Sequence, residues 1–365
     1  MEKNYLLKDF FLNLIRLGIG VESEVIVPDE IDWAFLQSLA ERHWLTSVAL
    51  DGIERIPKDR RPQKKDIIQW IGESVRQESL YSVRQNAAEG MALLLNSHGI
   101  RTYVLKGAVV AECYPIPAHR MSVDMDCYLI AENRDETVWE RANKLMEDNG
   151  FAVKRDYYKN STFKLPGLSV ENHRFFTPFR GNNRLIRLER FLQGSMAADK
   201  GEDRIGDSFL YRPPVMVSAL FLIEHAYSHF LHEGLTWRHV LDWMLFSQRH
   251  KDEIDWTDLE ARIDEFGFRR FYDSFVLMGK YLLGSASSPT GRNKEEKRDL
   301  LMLEDIWAPL DLHETVDGIK GKLALAGNTW RARWKYRHFS EISMPRALWI
   351  QVFGYLFDRN PSVEI

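Results

Sequence analysis

Tyr-Val-Leu-Lys-Gly-Ala-Val-Val-Ala-Glu-Cys-Tyr-Pro-Ile-Pro-Ala-His-Arg-Met-Ser-Val-Asp-Met-Asp-Cys-Tyr-Leu, residues 103–129, decides the reading of this chain. A short apolar run from Tyr103 to Leu105 ends in Lys106-Gly107. A helix-like stretch, Ala108 to Tyr114, follows and is stopped by Pro115 and Pro117. Ser122 to Ile130 then reads as a second strand carrying Asp124 and Asp126. Side chains two apart on a strand share a face, so the two carboxylates stand side by side. They resist joint ionisation unless a cation lies between them. Hard oxygen ligands at that spacing suit Mg²⁺ or Mn²⁺ together with substrate phosphates. Gly107 lets backbone approach a ligand closely, and a helix N-terminus after it attracts phosphate. One unit thus offers a phosphate cradle and a metal clamp, which points to phosphoryl or nucleotidyl transfer.

The ordered set Leu105-Lys106-Gly107, Tyr114-Pro115, Arg120 and Asp124-Met125-Asp126 resembles the family of uncharacterised nucleotidyltransferases in the polymerase-β-like superfamily. The resemblance runs in outline over residues 30–250 and is sharp over 103–129. It implies an α+β fold, a small mixed-sheet core flanked by N-terminal and C-terminal helical regions. It implies a two-metal transfer of a nucleoside monophosphate from an NTP, with ATP the first donor to try, to a hydroxyl of a small molecule or a protein. In that superfamily a third acidic residue sits on a later strand. Glu171, on the run Leu168 to Phe175, falls at a suitable interval, with Ser169 and His173 on its face. The resemblance thus assigns Asp124, Asp126 and Glu171 to metal and catalysis, and Lys106, Gly107, Ala108 and Arg120 to the nucleotide. Superfamily members carry Gly-Ser or Gly-Gly on this turn, Gly-Ser being usual, where this chain has Gly107-Ala108, so the hydroxyl that would help hold the triphosphate is missing and Lys106 stands in as a point charge. That departure supports a rival expectation: an inactive nucleotide- or protein-binding module, antitoxin-like, on the same fold.

Each residue also has a plainer reading. Asp124 and Asp126 could be a solvated pair on an edge strand. Lys106 could be a surface lysine at a strand end. Arg120 could clamp phosphate with its fork, or pair with Asp124 or Asp126. His225 and His229, one helical turn apart, could hold a metal or line the cleft with His173, but Ala226 stands where a zinc-protease helix needs Glu. Their plain reading is as packed, satisfied histidines. Arg238 and Asp242, four apart, read as an ion pair.

The rest of the chain is organised around this unit. Helical periods fill residues 5–18, 31–43, 45–56 and 64–98, ending at His98-Gly99, which sets an N-terminal helical region at 1–98. The core is expected over 99–212, with strands at 101–105, 122–130, 151–157, 161–165 and 168–175 and a helix at 135–149. Residues 180–210, polar and Gly-containing, predict an extended loop. A C-terminal helical region is expected over 213–365. Its basic-aromatic cluster, residues 330–338, could meet a polyanion or form a solvated helix face. The 365 residues suffice for two domains or one enlarged one, and 45% hydrophobic with 28% charged residues is ordinary for a globular chain. A net charge of −4 gives no bulk attraction to nucleic acid or anionic membrane. Two cysteines, Cys113 and Cys127, make neither a disulfide framework nor a metal site alone, which fits a reducing cytoplasm.

Overall fold

The computed structural model describes residues 2–309, 327 and 330–357, apart from 134, 136, 157, 180 and 290–292. The chain opens in helices α1 (Glu2–Ile19), α2 (Trp33–Arg42), α3 (Thr46–Ile53) and α4 (Lys64–Asn96). Asp32 caps α2 by accepting the Phe35 N–H. α1 and α3 pack backbone to backbone. A Cβ on Gly52 would lie 2.0 Å from the Leu14 carbonyl oxygen, so only glycine permits that approach. At 33 residues, α4 spans about 50 Å.

Gly99, at φ +69°, turns the chain from α4 into the sheet. Its strands are β1 (Ile100–Val104), β2 (Asp124–Ala131), β3 (Lys154–Asp156), β4 (Asn160–Leu165), β5 (Leu168–His173) and β6 (Leu210–Tyr211). Their spatial order is β3-β4-β5-β2-β1-β6. β2 runs antiparallel to β1 and parallel to β5, so it lies inside the sheet and is no solvated edge strand. One turn of helix, α5 (Ala108–Ala111), and α6 (Val138–Asp148) lie within the sheet's connections.

Residues 180–210 depart from the expected loop. Most of the segment is α7 (Asn183–Ala198), capped by Asn182 accepting from Arg184 and Leu185. Leu188, Leu192 and Met196, spaced by four, bury one stripe of it, and Glu189 is buried beside them. The intervening arginines hid that stripe. β6, only two residues long, was also missed.

The chain closes in α8 (Val215–His232), α9 (Trp237–Arg249), α10 (Trp256–Phe266), α11 (Arg269–Leu282), α12 (Lys294–Trp307), α13 (Arg333–Phe339) and α14 (Met344–Phe357). The sheet sorts its side chains by strand alternation. Val104, Met125, Cys127, Leu129 and Val170 enter an apolar cluster closed by Met91 and Leu95 of α4 and Met146 of α6. Tyr103, Leu105 and Tyr211 join a larger cluster that runs through the N-terminal and C-terminal helices alike. Within the basic-aromatic run, Lys335 is fully buried, donating to the Phe230 carbonyl and pairing with Asp305 at 2.8 Å, so that residue is no solvated cation. Among the described residues no helix is long and apolar enough to cross a membrane.

Candidate active site

Strand β1 ends just before Lys106, and Gly107 turns the chain at φ +75°, ψ −109°, a conformation side chains resist. A Cβ there would meet the Asp124 carbonyl only at 3.7 Å, so backbone angle, not space, demands glycine. The helix after it is one turn rather than the expected seven residues, so it offers backbone N–H groups and little macrodipole. A cleft beside this turn is lined by Tyr81 and Arg84 of α4 together with Gly107, Ala108, Ser122 and Asp124.

Parallel pairing sets Asp124 opposite Ser169, Asp126 opposite Glu171 and Tyr128 opposite His173. Asp126, Glu171 and His173 therefore project from one face, their donor atoms all within 4.8 Å of one another. Asp126 is buried and its Oδ2 makes no hydrogen bond of good geometry. That oxygen lies 3.0 Å from the Lys106 ammonium, which also stands 3.6 Å from Asp124. Burial alone would raise the Asp126 pKa; the Lys106 charge and the His173 ring outweigh it and hold the carboxyl well below the usual range. Lys106 is likewise buried, which disfavours its charge, yet Asp126 and Asp124 raise its pKa and keep it an ammonium. Glu171 is about one third exposed, and burial with the neighbouring Asp126 charge pushes its carboxyl above the ordinary value. Asn160 donates to Glu171 Oε2 at 3.2 Å.

Lys106 is thus no surface lysine. It also donates to His225 Nε2 at 2.9 Å, which ties the carboxylates to α8. His225 is held neutral by burial and by the Lys106 charge. His225, His229 and His239 form a second group of nearby imidazoles. Arg120 meets neither Asp124 nor Asp126. Its fork grips Asp242 with two bonds of 2.8 Å, and its third nitrogen donates to the Gly107 carbonyl at 3.3 Å. Tyr114 adds a third bond to Asp242 at 2.7 Å. Arg120 therefore braces the glycine turn against α9. Arg238, expected to own Asp242, reaches it only at 3.5 Å. The Tyr114–Arg120–Asp242 network was missed because its members are 128 residues apart; the one signal was two charged residues on the α9 face.

The donor set fits a divalent cation, since two carboxylates and an imidazole converge, although the Lys106 ammonium already pairs with Asp126 Oδ2. The chain thus sets a glycine turn after one strand, paired carboxylates on the next and an acidic residue on that strand's parallel neighbour. The chain belongs to the family described as uncharacterised nucleotidyltransferase, whose profile matches residues 29–284, more than two thirds of its length. No curated protein and no solved structure gives a match to the chain.

Proposed function

We propose that this protein transfers a nucleoside monophosphate from an NTP to the hydroxyl of a small-molecule or protein acceptor. The observation that carries the reading is the convergence of Asp126 and Glu171 across parallel strands, with Asp124 joined to Asp126 through Lys106. Asp124, Asp126 and Glu171 would hold Mg²⁺ or Mn²⁺. Bound there, the cations would neutralise charge on the triphosphate and the attacking oxygen. Glu171, partly exposed and with its pKa raised by burial and by the Asp126 charge, is suited to take the acceptor's proton. Lys106 keeps Asp126 ionised and offers a point charge to an incoming phosphate. Gly107 and Ala108 present backbone N–H groups to the triphosphate in place of the missing serine hydroxyl. Arg120 positions that turn from the wall of the same cleft, its fork held by Asp242. The side of Lys106 facing the C-terminal helices is filled by His225, so the nucleotide enters from the α4 side, past Arg84 and Ser122.

A second reading, a non-catalytic nucleotide- or protein-binding module, has one observation in its favour: the ammonium already lies between the two aspartates. Titration calorimetry of ATP, GTP, CTP and UTP with Mg²⁺, on wild type and on Asp124→Asn with Asp126→Asn, separates them. Transfer requires binding that depends on both metal and carboxylates, followed by pyrophosphate release once an acceptor is present. Metal-independent binding, unchanged in the variants, would favour the module.

A further inference from the structure

We infer that His173 supplies a nitrogen ligand to the metal position at Asp126 and Glu171, and that this mixed donor set makes the position prefer Mn²⁺ to Mg²⁺. The inference rests on the metal-dependent reading above.

The argument starts from the ring's hydrogen bonds. His173 Nδ1 lies 3.1 Å from the Phe175 carbonyl oxygen. A carbonyl only accepts, so Nδ1 carries a hydrogen. In the neutral ring the lone pair is then on Nε2. That atom points at two more acceptors, Asp126 Oδ1 at 3.0 Å and Glu171 Oε2 at 3.7 Å. Nε2 so placed needs either a proton, which makes the 3.0 Å contact with Asp126 a hydrogen bond, or a metal ion in the proton's place, and the three donors within 4.8 Å of one another suit the ion. An imidazole whose Nδ1–H is fixed on a backbone carbonyl, with Nε2 turned towards carboxylates, is the orientation of a metal-ligating histidine. The distances agree. Neighbouring ligands of an ion bound at about 2.1 Å in octahedral geometry stand about 3 Å apart.

The ring is also locked in place. Glu189 accepts from the backbone N–H groups of Phe176 and Thr177 and from the Thr177 hydroxyl, which pins the loop bearing the Phe175 carbonyl. Phe221 of α8 stands edge-to-face against the ring at 5.8 Å. His173 itself is only 2% exposed. Such fixing of the orienting partner is what keeps a ligand's lone pair aimed. Imidazole nitrogen favours first-row transition ions over Mg²⁺, which prefers oxygen throughout.

The test uses the full-length protein and Mn²⁺ as probe. Free Mn²⁺ is counted by electron paramagnetic resonance, Mg²⁺ competes it off, and pulsed spectra of the bound ion read any ligating ¹⁴N. Wild type is expected to bind Mn²⁺ with ¹⁴N modulation. His225→Gln should keep that signal and His173→Gln should lose it, with Mn²⁺ binding weakened about tenfold or more and Mg²⁺ binding changed less than about twofold. A wild-type spectrum without ¹⁴N modulation overturns the inference even if His173→Gln fails to fold. So does unchanged Mn²⁺ affinity in His173→Gln, the result for a ring that only donates an N–H to Asp126. In both cases loss of Mn²⁺ binding in Asp126→Asn leaves the metal-dependent reading standing. No Mn²⁺ binding by wild type would overturn both together.

Discussion

Two corners of this protein gather residue types that hold metals, and Phe221 stands between them. Its ring is 5.8 Å from that of His173 on one side and 5.9 Å from that of His225 on the other. In the first corner, Asp126, Glu171 and His173 turn acceptors towards one another. In the second, His225, His229 and His239 lie close, but the lone pairs of His225 and His239 are committed. His225 Nε2 accepts from Lys106. His239 Nδ1 accepts the Thr236 N–H at the start of α9, so its neutral ring carries hydrogen on Nε2. His229 is paired through Nδ1 with Glu233 at 2.9 Å. His225 and His239 are both held neutral, by burial first and then by cations, Lys106 and Arg238 among them. Proximity of ligand atoms is therefore common to both corners. Carboxylates in excess of the one ammonium beside them belong to one.

The sharpest way to break that contrast is Asp126→Asn. It should abolish metal-dependent nucleotide binding and lower any transfer rate on the order of 10⁴-fold, read by calorimetry and pyrophosphate release. Arg120→Met tests the scaffold shared by the corners. It strips the fork from buried Asp242, and denaturant unfolding should give a loss of about 3–5 kcal/mol.

The anchor of His173 makes a pH prediction. Burial raises the Glu189 pKa to about 7, against hydrogen bonds that favour the ionised form. An acid whose folded pKa exceeds its unfolded one binds more protons when folded. Its stabilising effect is full below the unfolded pKa near 4.5 and declines as pH rises towards 7. The decline is on the order of 3 kcal/mol, and Glu189→Gln should flatten it in unfolding curves taken between pH 4.5 and 7.5.

Lys106→Met removes the cation that competes with a metal. Binding of Mn²⁺ alone should tighten roughly tenfold, since a unit charge a few ångströms away is worth more than 1 kcal/mol in a partly buried site. Nucleotide binding should weaken in the same variant. The smallest effect belongs to the imidazole corner: His229→Gln should leave metal affinity within about twofold, by the same titration.

What could be read in the sequence divides along similar lines. Residues 103–129 yielded the strand, the glycine turn and the Asp-bearing strand because each is a local signal: an apolar run, a helix stop, a period of two. Glu171 was found through an interval and a resemblance, and the parallel register now sets it opposite Asp126. The nature of Lys106 was not legible. Its burial depends on α8, more than a hundred residues later. Arg120's partner was equally remote, since Asp242 approaches it only when α9 packs on the glycine turn. His173 was named as a cleft neighbour, but the carbonyl that fixes its ring comes from a loop conformation held by Glu189. The α7 helix was missed because a stripe of Leu188, Leu192 and Met196 is narrow and flanked by charge.

The measurement that tests the central claim most directly is an anomalous difference map from crystals grown with Mn²⁺ and a non-hydrolysable NTP analogue. The account predicts a Mn²⁺ peak bounded by Asp126, Glu171 and His173, with the triphosphate on the α4 side of Gly107. A peak among His225, His229 and His239, or a nucleotide bound away from Asp126, would contradict it.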